Sequence, residues 1–338
     1  MELNVWTSTH IQGIPTFDPT THKWTITVKR ADGCERILHP RHIVLASGQY
    51  GDPRVPNFPG AEIFKGDIHH SSRHPEGFEY RGKRAVIVGS CTSAHDLAMN
   101  FYKQGSETVT MIQRSSTYVM SQTNGLRHLM NGLYDESGPP TEDADLFFSC
   151  IPFPALKTIH QHLTRLIAED DQEMLSKLDH AGFQVDYGYD GSGLFLKYLI
   201  SGGGFYIDVG CSKLVGNGSI KVKQGKEITN IVEDGVLFED GSKLEADVIV
   251  LATGFDDMQE TARKIFGHEV ANRVSKVWGL NDEGEIATMW QSMSSISPSL
   301  MVESGHEGLW FMGGNLALTR VYSRFLALQI KAIELGLD

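Results

Sequence analysis

The stretch Ala85-Val86-Ile87-Val88-Gly89-Ser90-Cys91-Thr92-Ser93-Ala94-His95-Asp96 decides the fold. Four apolar residues make a short buried strand, Gly89 permits a tight turn, and a helix begins near Ser93. A turn of this kind places backbone N–H groups and a helix N-terminus where a dinucleotide pyrophosphate is held. Thr108 to Gln113 returns as the next strand, which completes a βαβ unit over residues 83–120. The fold class expected is therefore α/β.

On either side the pattern changes. Residues 3–50 alternate as an antiparallel β-meander: a strand at 3–9, a turn at Asp18-Pro19-Thr20, strands at 24–28 and 35–38, and a buried strand from His42 to a Gly48 turn. Residues 52–60 carry three prolines and read as a linker. Residues 121–200 read as a helical insertion, with helices expected at 125–133, 156–168 and 171–181. A second meander at 219–238 leads to a late strand and turn, Asp247 to Phe255. The tail gives a strand at 309–312, the turn Gly313-Gly314 and a helix from about Ser323 to Leu335.

Composition limits the function. The chain has 338 residues, 41% hydrophobic and 21% charged, with a formal net charge of −12. That length suits two domains. The acidic balance argues against nucleic acid as a partner. Cys34, Cys91, Cys150 and Cys211 are widely spaced, show no zinc pattern, and fit a reducing, cytoplasmic compartment. No apolar run approaches the roughly 20 residues of a membrane span.

At the dinucleotide turn, Ala94 is small enough for helix–strand packing, and Gly89, Ser90 and Ser93 suit the turn. Cys91 stands where a second glycine lets the backbone approach the pyrophosphate, so its side chain is expected to crowd that site. Two readings stay open: an NADP site, or a turn kept for packing after losing affinity. Arg114 and Ser115 end the second strand where NAD enzymes carry an acid, and a cation there favours the 2′-phosphate of NADP. Asp186, Tyr187, Tyr189, Asp190 and Lys197 cluster among glycines, as do Phe205, Tyr206 and Asp208; structural turns with aromatic anchors are the favoured reading of both groups. His160 and His162, two apart on a helix, are expected at the surface.

The segment Phe64-Lys65-Gly66-Asp67-Ile68-His69-His70-Ser71-Ser72-Arg73-His74-Pro75 carries a further pattern. With Gly89–Ala94, Gln113-Arg114-Ser115, Leu251 to Phe255, and the tail from Phe311 to Ile330, it resembles the class B flavoprotein monooxygenases, both flavin-containing and Baeyer–Villiger types. His74 stands where that family's fingerprint has Trp. The resemblance covers nearly the whole chain. It implies a Rossmann-like NADP-type domain at 61–214 with the helical insertion at about 121–200. It implies a FAD-type domain from 1–60 and 215–338, incomplete and N-terminally truncated. It also implies that Gly89, Ser90, Cys91, Ser93, Arg114 and Ser115 face NADPH. Gly48, Thr253 and Gly254 then lie near the two dinucleotides, Gly313 and Gly314 approach FAD, and His70 belongs to the linker motif.

No Gly-x-Gly-x-x-Gly turn precedes Gly89 in this sequence. Taken with Cys91, that suggests two damaged cofactor sites. The expectation formed here is a redox-silent relative without a favoured cofactor. Residual NADP binding is allowed, and FAD is expected only with a partner chain. The retained cleft would bind a small apolar molecule and catalyse a non-redox cyclisation, pericyclic addition or isomerisation, with His70, Tyr206 and Asp208 as catalytic candidates. The alternatives are a working FAD/NADPH monooxygenase and a non-enzymatic binding protein or truncated gene product. A homo-oligomer is compatible with each.

Overall fold

The structure is a computed structural model that describes residues 3–48, 50–75, 77–274, 277–280 and 306–337. The chain divides into two compact units, one made of residues 1–52 and 255–338, the other of residues 53–254. The boundary inferred from sequence lay at 214/215. Residues 215–254 pack with the second unit because their strands pair inside its sheet.

The first unit opens with β1 (Thr9–Asp18), β2 (Lys23–Arg30) and β3 (Glu35–Leu38), an antiparallel sheet in that order, and continues with β4 (Ile43–Leu45). The first strand starts where the sequence reading ended it. A register shift between Gln12 and Thr16 breaks the two-residue alternation and hides the strand from pattern reading.

The second unit is built on a five-stranded parallel sheet. Its strands are β5 (Asp67–His70), β6 (Arg84–Val88) and β7 (Thr108–Gln113), with α1 (Thr92–Lys103) crossing between the last two. The insertion follows: β8 (Thr117–Ser121), α2 (Gln122–Met130), α3 (Thr141–Ser149), α4 (Phe153–Asp170), α5 (Gln172–His180), β9 (Val185–Asp186), α6 (Leu194–Ser201), β10 (Phe205–Asp208) and α7 (Cys211–Gly216). It is not purely helical, because β10, β8 and β9 pair in parallel as a small second sheet. Then come β11 (Lys221–Gln224), the meander β12 (Ile228–Val232), β13 (Gly235–Phe238) and β14 (Lys243–Glu245), and β15 (Val248–Leu251). The order across the main sheet is β11-β7-β6-β15-β5.

Alternation along these strands builds two cores. Ala85, Ile87, Val109, Met111, Val248 and Val250 face one way and pack with Ala94, Ala98 and Phe101 of α1 and with Leu178 and Val215. Val86, Ile112, Ile249 and Leu251 face the other way and pack with Ile231, Val236 and Phe238 of the meander. Both faces of the parallel sheet are thus covered, as its two-sided apolar strands require. At the opposite edge from the turn, Asp247 clamps Arg84. Its Oδ2 accepts from the Arg84 backbone N–H at 2.8 Å, and Nη2 donates to Oδ1 at 2.8 Å.

The chain returns to the first unit with α8 (Met258–Arg273), β16 (Leu309–Phe311), which pairs in parallel with β4, and α9 (Leu316–Leu335). α9 starts seven residues before the expected Ser323, at the Asn315 cap, whose side chain accepts from the Leu318 N–H at 2.9 Å.

Candidate nucleotide site

The parallel strands of the second unit all end at one edge. Leu251 lies beside both Val88 and His70, Val88 beside Ile112, and Gln113 beside Gln224. The crossover from β6 runs through α1 to β7 on one side, while β15 lies on the other. Ligands of open parallel sheets bind in the crevice made where strand order reverses like this.

Gly89 fills that point. Its φ of +139° suits glycine, and a Cβ there would sit 2.5 Å from the Ala252 carbonyl oxygen. Its N–H donates to Ile112 O at 3.0 Å, and Ala252 N–H donates to Val88 O at 2.9 Å, so two strand-end turns are held together. Ser90 is buried, and its Oγ lies 2.8 Å from Thr117 Oγ1 at the start of the insertion. Cys91 is the N-cap of α1 and makes no side-chain cap. Helix geometry leaves the first N–H groups, those of Thr92, Ser93 and Ala94, without intrahelical acceptors. Thr92 and Ser93 are exposed and Ala94 is packed in the core. Arg114 and Ser115 are exposed just beyond β7, and Arg114 enters no ion pair among the described residues.

This donor set fits a dinucleotide: backbone amides and a helix N-terminus for a pyrophosphate, and a guanidinium one strand away for a further phosphate. Cys91 is partly buried, and burial raises the pKa of its thiol. Next to it, Thr92 Oγ1 donates to Phe205 O at 3.1 Å, which ties the start of α1 to the insertion.

His70, Thr253 and Gly254 form one knot beside this turn. The Gly254 carbonyl accepts from the His70 ring at 3.0 Å and from the Arg54 N–H at 2.9 Å, while Thr253 Oγ1 donates to Arg54 O at 2.6 Å. His70 Nδ1 accepts from the Ser72 N–H at 3.1 Å, so its proton sits on Nε2. Burial lowers its pKa. His70 therefore acts as a brace between β5 and the turn after β15.

Of the residues expected near FAD, Gly48, Gly313 and Gly314 belong to the first unit. Gly48 has φ +88° with open space at its Cβ position. Gly314 has φ +90°, and a Cβ would meet Leu318 Cδ1 at 2.9 Å, so glycine is required where the chain turns into α9. The first unit thus offers a tight glycine turn leading into the N-terminus of a 20-residue helix, a donor arrangement suited to an anionic cofactor.

Tyr206 and Asp208 are corrected as catalytic candidates. Tyr206 is fully buried and stacks on His95 with ring centroids 3.8 Å apart. Asp208 accepts the Ser212 N–H at 2.8 Å and tethers the start of α7. Both hold the insertion together, as the structural reading of the glycine-rich turns had it. His162 is exposed as expected, but His160 is half-buried and stacks on Phe195 at 4.2 Å. Among the described residues no cluster of three His, Cys, Asp or Glu could hold a metal, and no helix is long and apolar enough to cross a membrane.

Comparison with known proteins gives the lineage. Residues 1–130 match the family described as pyridine nucleotide-disulphide oxidoreductase. The probable FAD-binding monooxygenase AlmA of Acinetobacter baylyi is 26% identical over 253 residues, covering 71% of this chain and 48% of that protein. Dimethylaniline monooxygenase [N-oxide-forming] 2 of Cavia porcellus is 30% identical over 240 residues, covering 69% of this chain and 39% of that protein. The chain is similar to flavoprotein monooxygenases over about 70% of its length. Its fold is that of cyclohexanone monooxygenase, whose epsilon-caprolactone-bound structure superposes with a TM-score of 0.60 at 16% identity, over 97% of this chain and 68% of that one.

These relatives overturn the expectation of no cofactor. A family named for pyridine nucleotides and a relative named for FAD point to flavin and NADP. The expectation had rested on the missing glycine turn. The chain spans about half or less of the length of these curated relatives, so where it begins says nothing about that turn.

Proposed function

We propose that this chain carries the pyridine-nucleotide site and part of the flavin site of an FAD- and NADPH-dependent monooxygenase. The observation that carries the reading is the Gly89 turn at the carboxyl edge of the parallel sheet, with α1 opening behind it and Arg114 exposed one strand away. In this reading the amides at Thr92–Ala94 hold the pyrophosphate and Arg114 pairs with the 2′-phosphate. Gly48, Gly313 and Gly314 approach the flavin. His70 keeps the Gly254 turn in place. The bound nucleotide supplies hydride, and the flavin supplies activated oxygen. The relative named as an N-oxide-forming dimethylaniline monooxygenase supports oxygenation of a small organic substrate. The non-redox cyclase reading loses its support, since the relatives are named as monooxygenases.

The test is direct binding. Calorimetric titration with NADP+ should give saturable binding, and added FAD should show the altered absorbance of protein-bound flavin. A protein that binds neither would overturn the proposal.

A further inference from the structure

Lys197 lies in the insertion, on α6, more than a hundred residues after the Gly89 turn, yet the fold brings the two together. Its ammonium donates to Asp186 Oδ2 at 2.8 Å, and only 11% of its side chain is exposed. It also lies 5.4 Å from the Tyr189 ring centroid. Asp186 is itself fixed, accepting the Gly188 N–H at 2.7 Å. The 202–204 loop runs beside Lys197. Gly204 has φ +85°, and a Cβ there would lie 3.1 Å from Lys197 Cδ and 3.5 Å from Nζ. The next residue touches the turn: Thr92 Oγ1 donates to Phe205 O at 3.1 Å.

A largely buried ion pair is a poor way to gain stability, because desolvation offsets most of the attraction. An ammonium has three donors, and one is committed to Asp186. We propose that Lys197, positioned by Asp186, is a phosphate-binding residue of the dinucleotide site, delivered by the insertion across the Gly204 loop. It rests on the nucleotide-binding reading above. The glycines at 202–204 then have a specific purpose, since a side chain at 204 would displace the lysine.

The test is calorimetric titration of wild type, Lys197→Met and Lys197→Arg with NADP+ and with NAD+, alongside thermal melts. Lys197→Met should bind NADP+ at least about tenfold more weakly and melt lower, because Asp186 is left unpaired. Lys197→Met with Asp186→Asn, which removes both charges, should melt closer to wild type and bind as weakly. Lys197→Arg should recover most of the affinity. An equal loss for both nucleotides assigns the contact to the pyrophosphate, and a loss confined to NADP+ assigns it to the 2′-phosphate. Unchanged affinity in Lys197→Met would overturn the inference and leave the nucleotide site standing. Wild type that binds neither nucleotide would overturn both.

Discussion

The carbonyl oxygen of Ala252 occupies the space that a Cβ on Gly89 would need, at 2.5 Å. Two strand ends far apart in sequence thus touch backbone to backbone at the switch point of the sheet. Gly89→Ala should destabilise the protein by about 2–3 kcal/mol, through both the clash and the positive φ. Chemical denaturation checks this, and a variant as stable as wild type would contradict the geometry.

Arg114 is exposed and joins no ion pair among the described residues, so its loss should cost stability less than about 0.5 kcal/mol. Its effect should appear in nucleotide choice. Arg114→Ala should reduce the preference for NADP+ over NAD+ by about tenfold or more. Titrations with the two nucleotides measure it, and an unaltered ratio would remove Arg114 from the site.

His95 sets part of the acid sensitivity. It is fully buried against Tyr206, donates from Nδ1 to Cys91 O at 3.1 Å, and leaves Nε2 without a partner. Burial pushes its pKa down to about 4 from 6.5. Between those values the unfolded chain binds the proton and the folded chain does not, so stability falls as pH drops from about 6.5 to about 4 and then levels. The group accounts for about 3 kcal/mol of that loss. His95→Phe, which keeps the stacked ring, should flatten this part of the pH–stability curve. A curve with the wild-type slope would contradict the assignment.

Asp247 acts at lower pH. Hydrogen bonds from Arg84 hold its carboxylate pKa at about 2, below the ordinary 3.8. The clamp is complete above that ordinary value and is lost as pH falls towards 2. Asp247→Asn should destabilise the protein by about 1–2 kcal/mol at neutral pH and remove the loss over that window. Urea melts across the range test both statements.

The strand, turn and helix around Gly89 were legible because local signals agree there. An apolar strand, a glycine, a small residue and an arginine at the next strand end each follow from backbone sterics and charge. The insertion was read less well. Leu194–Ser201 is a helix bounded by Gly193 and Gly202, whose glycines read as loop. The strand at Phe205–Asp208 is short, and its parallel partner at Thr117–Ser121 is distant in sequence, so no local periodicity marks the pair. Lys197 belonged to a recognised polar cluster, but its place beside Gly204 exists only through tertiary packing. The cofactor expectation failed for another reason: it treated the start of the chain as a property of the site.

The pairing of β4 with β16 has a consequence for how the chain is made. Ile43–Leu45 leaves the ribosome well before its partner Leu309–Phe311. The first unit therefore cannot close until residue 311 has been made, while residues 53–254 can already have folded. During that interval Ile43–Leu45 waits with an open edge. Slow translation past residue 254 would lengthen that exposure.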